Sequence, residues 1–237
     1  MKKLFLFACI AASTQAAQAQ STIGKGTGLL TGAIGYHTQT DDVSQSGGGY
    51  GGGSNYSSTA TYGTFKLDFA VGGFVANNLA LGLQLSHTVT GGSYKSSSNY
   101  PPLSGPPTST TLRVGPVVQY YKMLSEQFGL IATVGAGYES DVRRTVQYYP
   151  SQYGSIAYNS DLKATGYYAA LTPGIVFFPV PKFGLTATIG SLGYNRLTIK
   201  DNNQRGSNTA DETISLFDAG FGFSQLQFGA SYYFGRK

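Results

Sequence analysis

Leu226 to Phe234 (LQFGASYYF) restricts what this chain can fold into more than any other stretch. Leu226, Phe228, Ala230, Tyr232 and Phe234 fall on one face of a period-2 strand, with Gln225, Gln227, Gly229, Ser231 and Tyr233 on the other. One face suits lipid and the other suits water. A strand crossing a bilayer must pair its whole backbone while its outward side chains meet acyl chains, and only a closed barrel of strands satisfies both demands.

The start of the chain reads as a secretory signal peptide spanning residues 1–19. Lys2 and Lys3 form the charged region, Leu4 to Ala12 the apolar region and Ala17-Gln18-Ala19 the cleavage site, so a single domain of residues 20–237 begins at Gln20. Cys9 lies inside the apolar region with a large residue, Phe7, close before it, a poor lipidation context. After cleavage no cysteine remains, so disulfides and thiol chemistry play no part. No later stretch approaches the roughly 20 consecutive apolar residues of a spanning helix, so any span is made of strands. Without Lys2 and Lys3 the chain carries 14 basic against 11 acidic side chains, too small an excess to argue for nucleic acid. Charged residues are 11% of the chain, too few to coat an ordinary water-exposed surface, where about 25% is usual. The 33 glycines, 18 tyrosines and 14 phenylalanines fit barrel strands with aromatic girdles.

Alternation and turn chemistry predict eight strands: Leu29 to Thr40, Thr59 to Phe74, Leu79 to Thr90, Thr110 to Tyr121, Phe128 to Val142, Asp161 to Phe178, Phe183 to Leu197 and Ile214 to Phe234. Three connections are short (Val75 to Asn78, Lys122 to Gln127, Pro179 to Lys182), whereas 41–58, 91–109, 143–160 and 198–213 run 16 to 19 residues. Such asymmetry places the short turns on the periplasmic side of an outer membrane and four long loops outside. Asn77-Asn78 suits a tight turn because Asn tolerates positive φ. In the second strand Phe65, Leu67, Phe69 and Val71 oppose Lys66, Asp68, Ala70 and Gly72; in the third, Leu79, Leu81, Leu83 and Leu85 oppose Ala80, Gly82, Gln84 and Ser86. Pro116 removes a ladder donor from the fourth strand, and broken alternation at Ser191 to Gly193 predicts a bulge in the seventh.

Periodicity alone does not say whether the apolar face points in or out. Low total charge, weakly polar residues (Gly, Ala, Ser, Thr) on the opposite face and the loop asymmetry favour the membrane version over a soluble lipocalin-type barrel. The signal peptide, the eight alternating strands, the turn region FVANNLALGLQL and the terminal FGASYYF together resemble the small outer-membrane β-barrel domain family of Gram-negative bacteria. In design that family is similar to the outer-membrane protein A and X barrels. The resemblance implies an all-β, eight-stranded antiparallel up-and-down transmembrane barrel in the cell outer membrane, monomeric, inserted by the barrel-assembly machinery and free of cofactors. Gly235-Arg236-Lys237 depart from the pattern, since many such barrels stop at the terminal aromatic. The barrel occupies nearly the whole mature chain and leaves no length for a separate periplasmic domain.

Alternation points Lys66, Asp68, Arg113, Glu139 and Asp141 into the lumen, with His37 also inward and high. An eight-stranded barrel is just wide enough for side chains to fill, and unpaired buried charge is costly, so these residues are expected to form a paired polar network. Lys95, Arg143, Arg144, Lys163 and Arg196 fall near the outer rim, where cations meet the phosphates of lipopolysaccharide. A lipid-modifying enzyme would need a nucleophile and base, yet Ser86 and His87 are adjacent on one strand and diverge. No enzyme is therefore expected. Gly47 to Gly53 (GGGYGGG) matches G-x-G-x-x-G but opens no helix, and Asp41 with Asp42 reads as solvated, so neither a phosphate cradle nor a metal site is predicted. The second loop is proline-rich (Pro101, Pro102, Pro106, Pro107). The sequence points to a structural or surface-interaction role through the long loops, with a narrow solute channel as the alternative.

Overall fold

A computed structural model describes residues 22–46, 55–96, 108–151, 154–201 and 212–236. The signal segment, the Gly47–Gly53 run and the four loop prolines lie outside the described residues.

Alternating residues make ten strand segments: β1 (Gly28–Ser46), β2 (Asn55–Ala76), β3 (Leu79–Ser96), β4 (Thr108–Met123), β5 (Phe128–Ser151), β6 (Gly154–Val180), β7 (Phe183–Ile189), β8 (Ser191–Asp201), β9 (Glu212–Gly220) and β10 (Leu226–Phe234). Each of β1 to β5 pairs antiparallel with the next strand in sequence. β6 pairs with β7 over its lower half and β8 over its upper half, β10 pairs with β7, and β10 closes the ring on β1 through pairs such as Leu30↔Tyr232. Because β7–β8 and β9–β10 each act as one interrupted stave, the ring has eight staves.

The apolar face points outward. Ile34, Val71, Leu83 and Phe228 are each more than half exposed, whereas Ser86, Gln119, Glu139 and Ser231 on the inner face are buried. This is the inside-out pattern of a membrane barrel, in which lipid replaces a protein core. Tyr138, Tyr167 and Tyr194 stand outward at neighbouring levels of β5, β6 and β8 and mark an upper aromatic belt.

Three details differ from the sequence expectation. The seventh strand, expected from Phe183 to Leu197 with a bulge at Ser191 to Gly193, instead divides into two segments one residue before that point. Gly190 interrupts it with a φ of 76°, and a Cβ there would run into the Gly220 carbonyl oxygen. This single residue reverses the inward face, from Thr186 and Thr188 in β7 to Gly193 and Asn195 in β8. The eighth strand likewise breaks between β9 and β10 at a 3-10 turn, Phe223–Gln225, and its inward face changes from Asp218 and Gly220 to Gln227 and Gly229. The stretches 41–58 and 143–160, expected as loops, instead continue as paired strands out to Ser46↔Asn55 and Ser151↔Gly154, and pairing likewise runs past Thr90 to Ser96 and past Leu197 to Asp201, because the ladders propagate beyond the belt.

Asn78 takes the positive φ of 63° expected of an Asn turn. Pro116 is paired with Leu83 of β3, while the β4–β5 register skips Gly115 and Pro116, where a donor is missing.

Candidate functional site: base, lumen and outer rim

The base of the barrel, at the short-turn end, is filled by side chains. Ile23, Phe74, Tyr121, Met123, Val176, Phe178 and Tyr233 form its buried apolar cluster. Tyr233 is central, with ring centroids 5.0 Å from Phe178, 6.1 Å from Phe74 and 6.2 Å from Tyr121. Its hydroxyl donates to the Tyr121 hydroxyl at 3.2 Å, and Tyr121 donates to Gln119 Oε1 at 2.9 Å, so the buried polar atoms are satisfied in series. Both flanking segments of the chain fold into this base. Ile23 N–H donates to Asn78 Oδ1 at 2.8 Å while Asn78 N–H donates to the Ile23 carbonyl at 2.9 Å. On the other side, the Arg236 guanidinium lies 3.9 Å from the Phe178 ring centroid. Burial pushes its pKa down from the ordinary value, and the π face below it offsets part of the desolvation.

Above the base the lumen holds ion pairs at successive levels. Lys66 Nζ sits 3.2 Å from Asp68 Oδ2, and Gln227 from β10 joins both by accepting from Lys66 at 3.3 Å and donating to Asp68 at 2.9 Å. The register that places Gln227 opposite Gly35 of β1, itself opposite Lys66 of β2, assembles this group across the closing seam. Higher up, Arg113 Nε donates to Glu139 Oε2 at 3.0 Å, and its guanidinium lies 5.1 Å from the Tyr168 ring centroid. Asp141 accepts from Thr111 Oγ1 at 2.9 Å and lies 3.7 Å from Arg143. Each of these charges therefore has a partner of opposite sign from its own strand or a nearby stave, which suits a lumen too narrow for bulk water. A cavity of about 80 Å³, reached by Asp68, Gln84, Gln119, Thr133 and Thr186 and also by Ile131, lies among the pairs.

Sequence reasoning grouped five rim cations, and the strands separate them. Arg143 shares the inward face of β5 with Asp141 and Glu139, because residues two apart on a strand point the same way. Arg144 points outward and lies 3.6 Å from Asp161 of β6. Lys163 and Arg196 also face outward, and Lys95 stands exposed on β3, two strands from β5. Lys200, overlooked in the sequence, pairs directly with Lys163 on the outward face of β8. The face reversal at Gly190 governs which β8 residues point out, and the sequence did not reveal its exact place. Arg144, Lys163, Arg196 and Lys200 thus form an outward cationic strip across β5, β6 and β8 at and just above the tyrosine belt. Among the described side chains, no carboxylate lies within ion-pair distance of Lys163 or Lys200.

Ser86 lies between Asp68 and Arg113 on the inner face, whereas His87 lies between Leu67 and Leu112 on the outer face. These two side chains do not meet. His37 faces inward beside a cavity at the β1–β10 seam. Among the described residues no group of three or more His, Cys, Asp or Glu side chains is placed to hold a metal ion.

No protein-family profile and no curated sequence matches the chain. Solved structures that it resembles include the attachment invasion locus protein Ail of Yersinia pestis, at 15% identity and a TM-score of 0.38, over 90% of this chain and 100% of that one. Ail in complex with the heparin analogue sucrose octasulfate matches at 14% identity and 0.35, with the same coverage. The outer membrane protease OmpT of Escherichia coli matches at 15% identity and 0.35, over 90% of this chain and 95% of that one. The fold itself identifies the class: a ring of eight antiparallel staves, apolar outside and polar within, with short turns at one end and long hairpins at the other, is a β-barrel of the membrane-spanning kind.

Proposed function

We propose that this barrel is a non-enzymatic surface protein that holds lipopolysaccharide phosphates along its outward cationic strip and presents its long hairpins to ligands outside the cell. The observation that carries the reading is the direct opposition of Lys163 and Lys200, flanked by Arg144 and Arg196 on the same face. Like charges directly opposite each other across a strand pair are destabilising, and anions bound at that level offset the repulsion. The strip's height supports the reading, since cations just above an aromatic belt meet headgroup phosphates. The ion-paired lumen over a packed base supports a closed scaffold rather than a solute channel, and the divergence of Ser86 and His87 supports a non-enzymatic role.

Lipopolysaccharide retained by barrels purified from outer membranes measures the first part. Lys163→Glu with Lys200→Glu is expected to reduce it strongly, with Lys95→Glu as the comparison on the far side of the ring. Unchanged retention in the double variant, or in an Arg144→Ser/Arg196→Ser pair, overturns the lipid-binding reading. In planar bilayers the wild type is expected to stay silent. Steady conductance that disappears on Lys66→Met would replace the scaffold with a narrow channel.

A further inference from the structure

Among the described residues, strand pairing leaves the wall of the barrel open on one side. β1 pairs with β10 only as far as Gly35↔Gln227, above which its pairing among the described residues is on the β2 side alone. β9, the upper part of the last stave, pairs only with β8 among the described residues. Two unpaired edges therefore face each other across the upper half of the ring. At the foot of this seam lies a cavity of about 190 Å³, lined by Tyr36 and Leu226, which belong to the outward face, and by Thr64, Lys66 and Thr172 of the inner face.

Beside the seam the inner wall carries an apolar patch, unlike the ion-paired levels of the lumen above the base. Leu162, Leu197, Ile199, Ile214 and Leu216 line a separate cavity of about 160 Å³, and Ile214 and Leu216 are 43% and 56% exposed although they point inward. Eight-stranded lumens are normally filled by side chains, so an open apolar wall at this height is unusual. Arg143 and Asp141, a loose 3.7 Å apart, stand together at the rim end of the same cavity, and Asn195 also lines it; among the described residues Asp141 is the one carboxylate in ion-pair range of Arg143. The surface is thus amphipathic along the membrane normal, with the guanidinium and its loosely held partner above and a mainly hydrocarbon wall below.

We infer that this groove binds one long-chain fatty acid, with its carboxylate at Arg143, its chain along Ile199, Leu197, Ile214 and Leu216, and the β1–β9 seam as its path to the bilayer. Head upward and tail downward is the orientation of an outer-leaflet lipid, so the ligand enters without inverting. The apolar lining favours the chain by the ordinary hydrophobic effect, and the guanidinium adds a charge-assisted hydrogen bond. A single cavity of this volume suits one chain rather than two. This inference is independent of the lipopolysaccharide reading, which uses the outward cations.

The test is photo-crosslinking of the full barrel in phospholipid nanodiscs with palmitate carrying a diazirine at its tail, followed by peptide mapping. Labels are expected on inward residues of β8 and β9 and are expected to be competed by unlabelled palmitate. Ile214→Gln with Leu216→Gln should abolish that labelling, whereas the outward Phe217→Gln on the same strand should leave it unchanged. Both mutated side chains are substantially exposed, so the fold tolerates them, and the mobility difference between heated and unheated barrel on a gel verifies this. Arg143→Gln should weaken palmitate roughly tenfold, the loss of one hydrogen bond to a charged group, while leaving a hexadecanol competitor unaffected. Labels confined to outward residues, labelling that palmitate fails to compete, or stronger inner labelling by a two-chain phosphatidylethanolamine probe would each overturn the proposal.

Discussion

Replacing Tyr233 with alanine tests whether the base of the barrel is a packed core in its own right. The side chain is fully buried, stacks among Phe74, Tyr121 and Phe178, and donates one hydrogen bond to Tyr121. Truncating a buried ring of this size to alanine costs about 3–5 kcal/mol, because lost apolar transfer adds to an incompletely relaxed cavity. We expect a loss of about 4 kcal/mol, close to a thousandfold in the folding equilibrium. Tyr233→Phe keeps the rings and removes only the donor, while Tyr121 still donates to Gln119, so its expected loss is about 1 kcal/mol. The chain has no tryptophan, so the assay is urea titration of the protein in lipid vesicles, with folded and unfolded forms separated by gel mobility. A Tyr233→Ala loss below about 1 kcal/mol would show that lipid outside the ring, rather than this plug, carries the stability at the base. Equal losses in the two variants would instead assign the stabilisation to the hydroxyl series.

Arg113→Met leaves Glu139 buried without its partner and should destabilise the barrel by about 3 kcal/mol, most of it regained by adding Glu139→Gln; the same titration reads both. Gly190→Ala forces a side chain into positive φ and against the Gly220 carbonyl, so a loss of about 2 kcal/mol or more is expected, with weakened hydrogen-exchange protection confined first to β8 and β9. Sequencing the N-terminus of barrel recovered from membranes should begin at Gln20.

Much of this architecture was legible because strand geometry is simple. Phe65 to Val71 and Leu79 to Leu85 alternate without interruption, and each of these runs presents its apolar side chains outward in the ring. The same rule places Lys66 with Asp68 and Arg113 with Glu139 on inward faces, and cross-strand register then brings them within 3.0–3.2 Å. What period-2 reasoning does not reach is a place where the period changes. A single glycine at positive φ inverts the faces of the seventh stave, and a five-residue break inverts those of the eighth. For that reason the inward apolar pair Ile214 and Leu216, and Lys200 opposite Lys163, were hidden. Gln227 was readable as a lumen residue, but its bridging role depends on ring closure between β1 and β10, which no local pattern encodes.

The clasp at the base also bears on the order in which the protein assembles. Ile23 and Arg236 lie more than two hundred positions apart, yet both pack into the same few ångströms around Tyr121, Phe178 and Tyr233. Hairpins between neighbouring staves involve short separations and form early, whereas pairs such as Gly28↔Phe234 require closing a loop of nearly the whole chain. The plug therefore cannot be completed until the ring is. Resistance of the base to unfolding reports full circularisation, and a chain stalled before its last stave has docked exposes the Phe74, Tyr121 and Phe178 surface to proteases and chaperones.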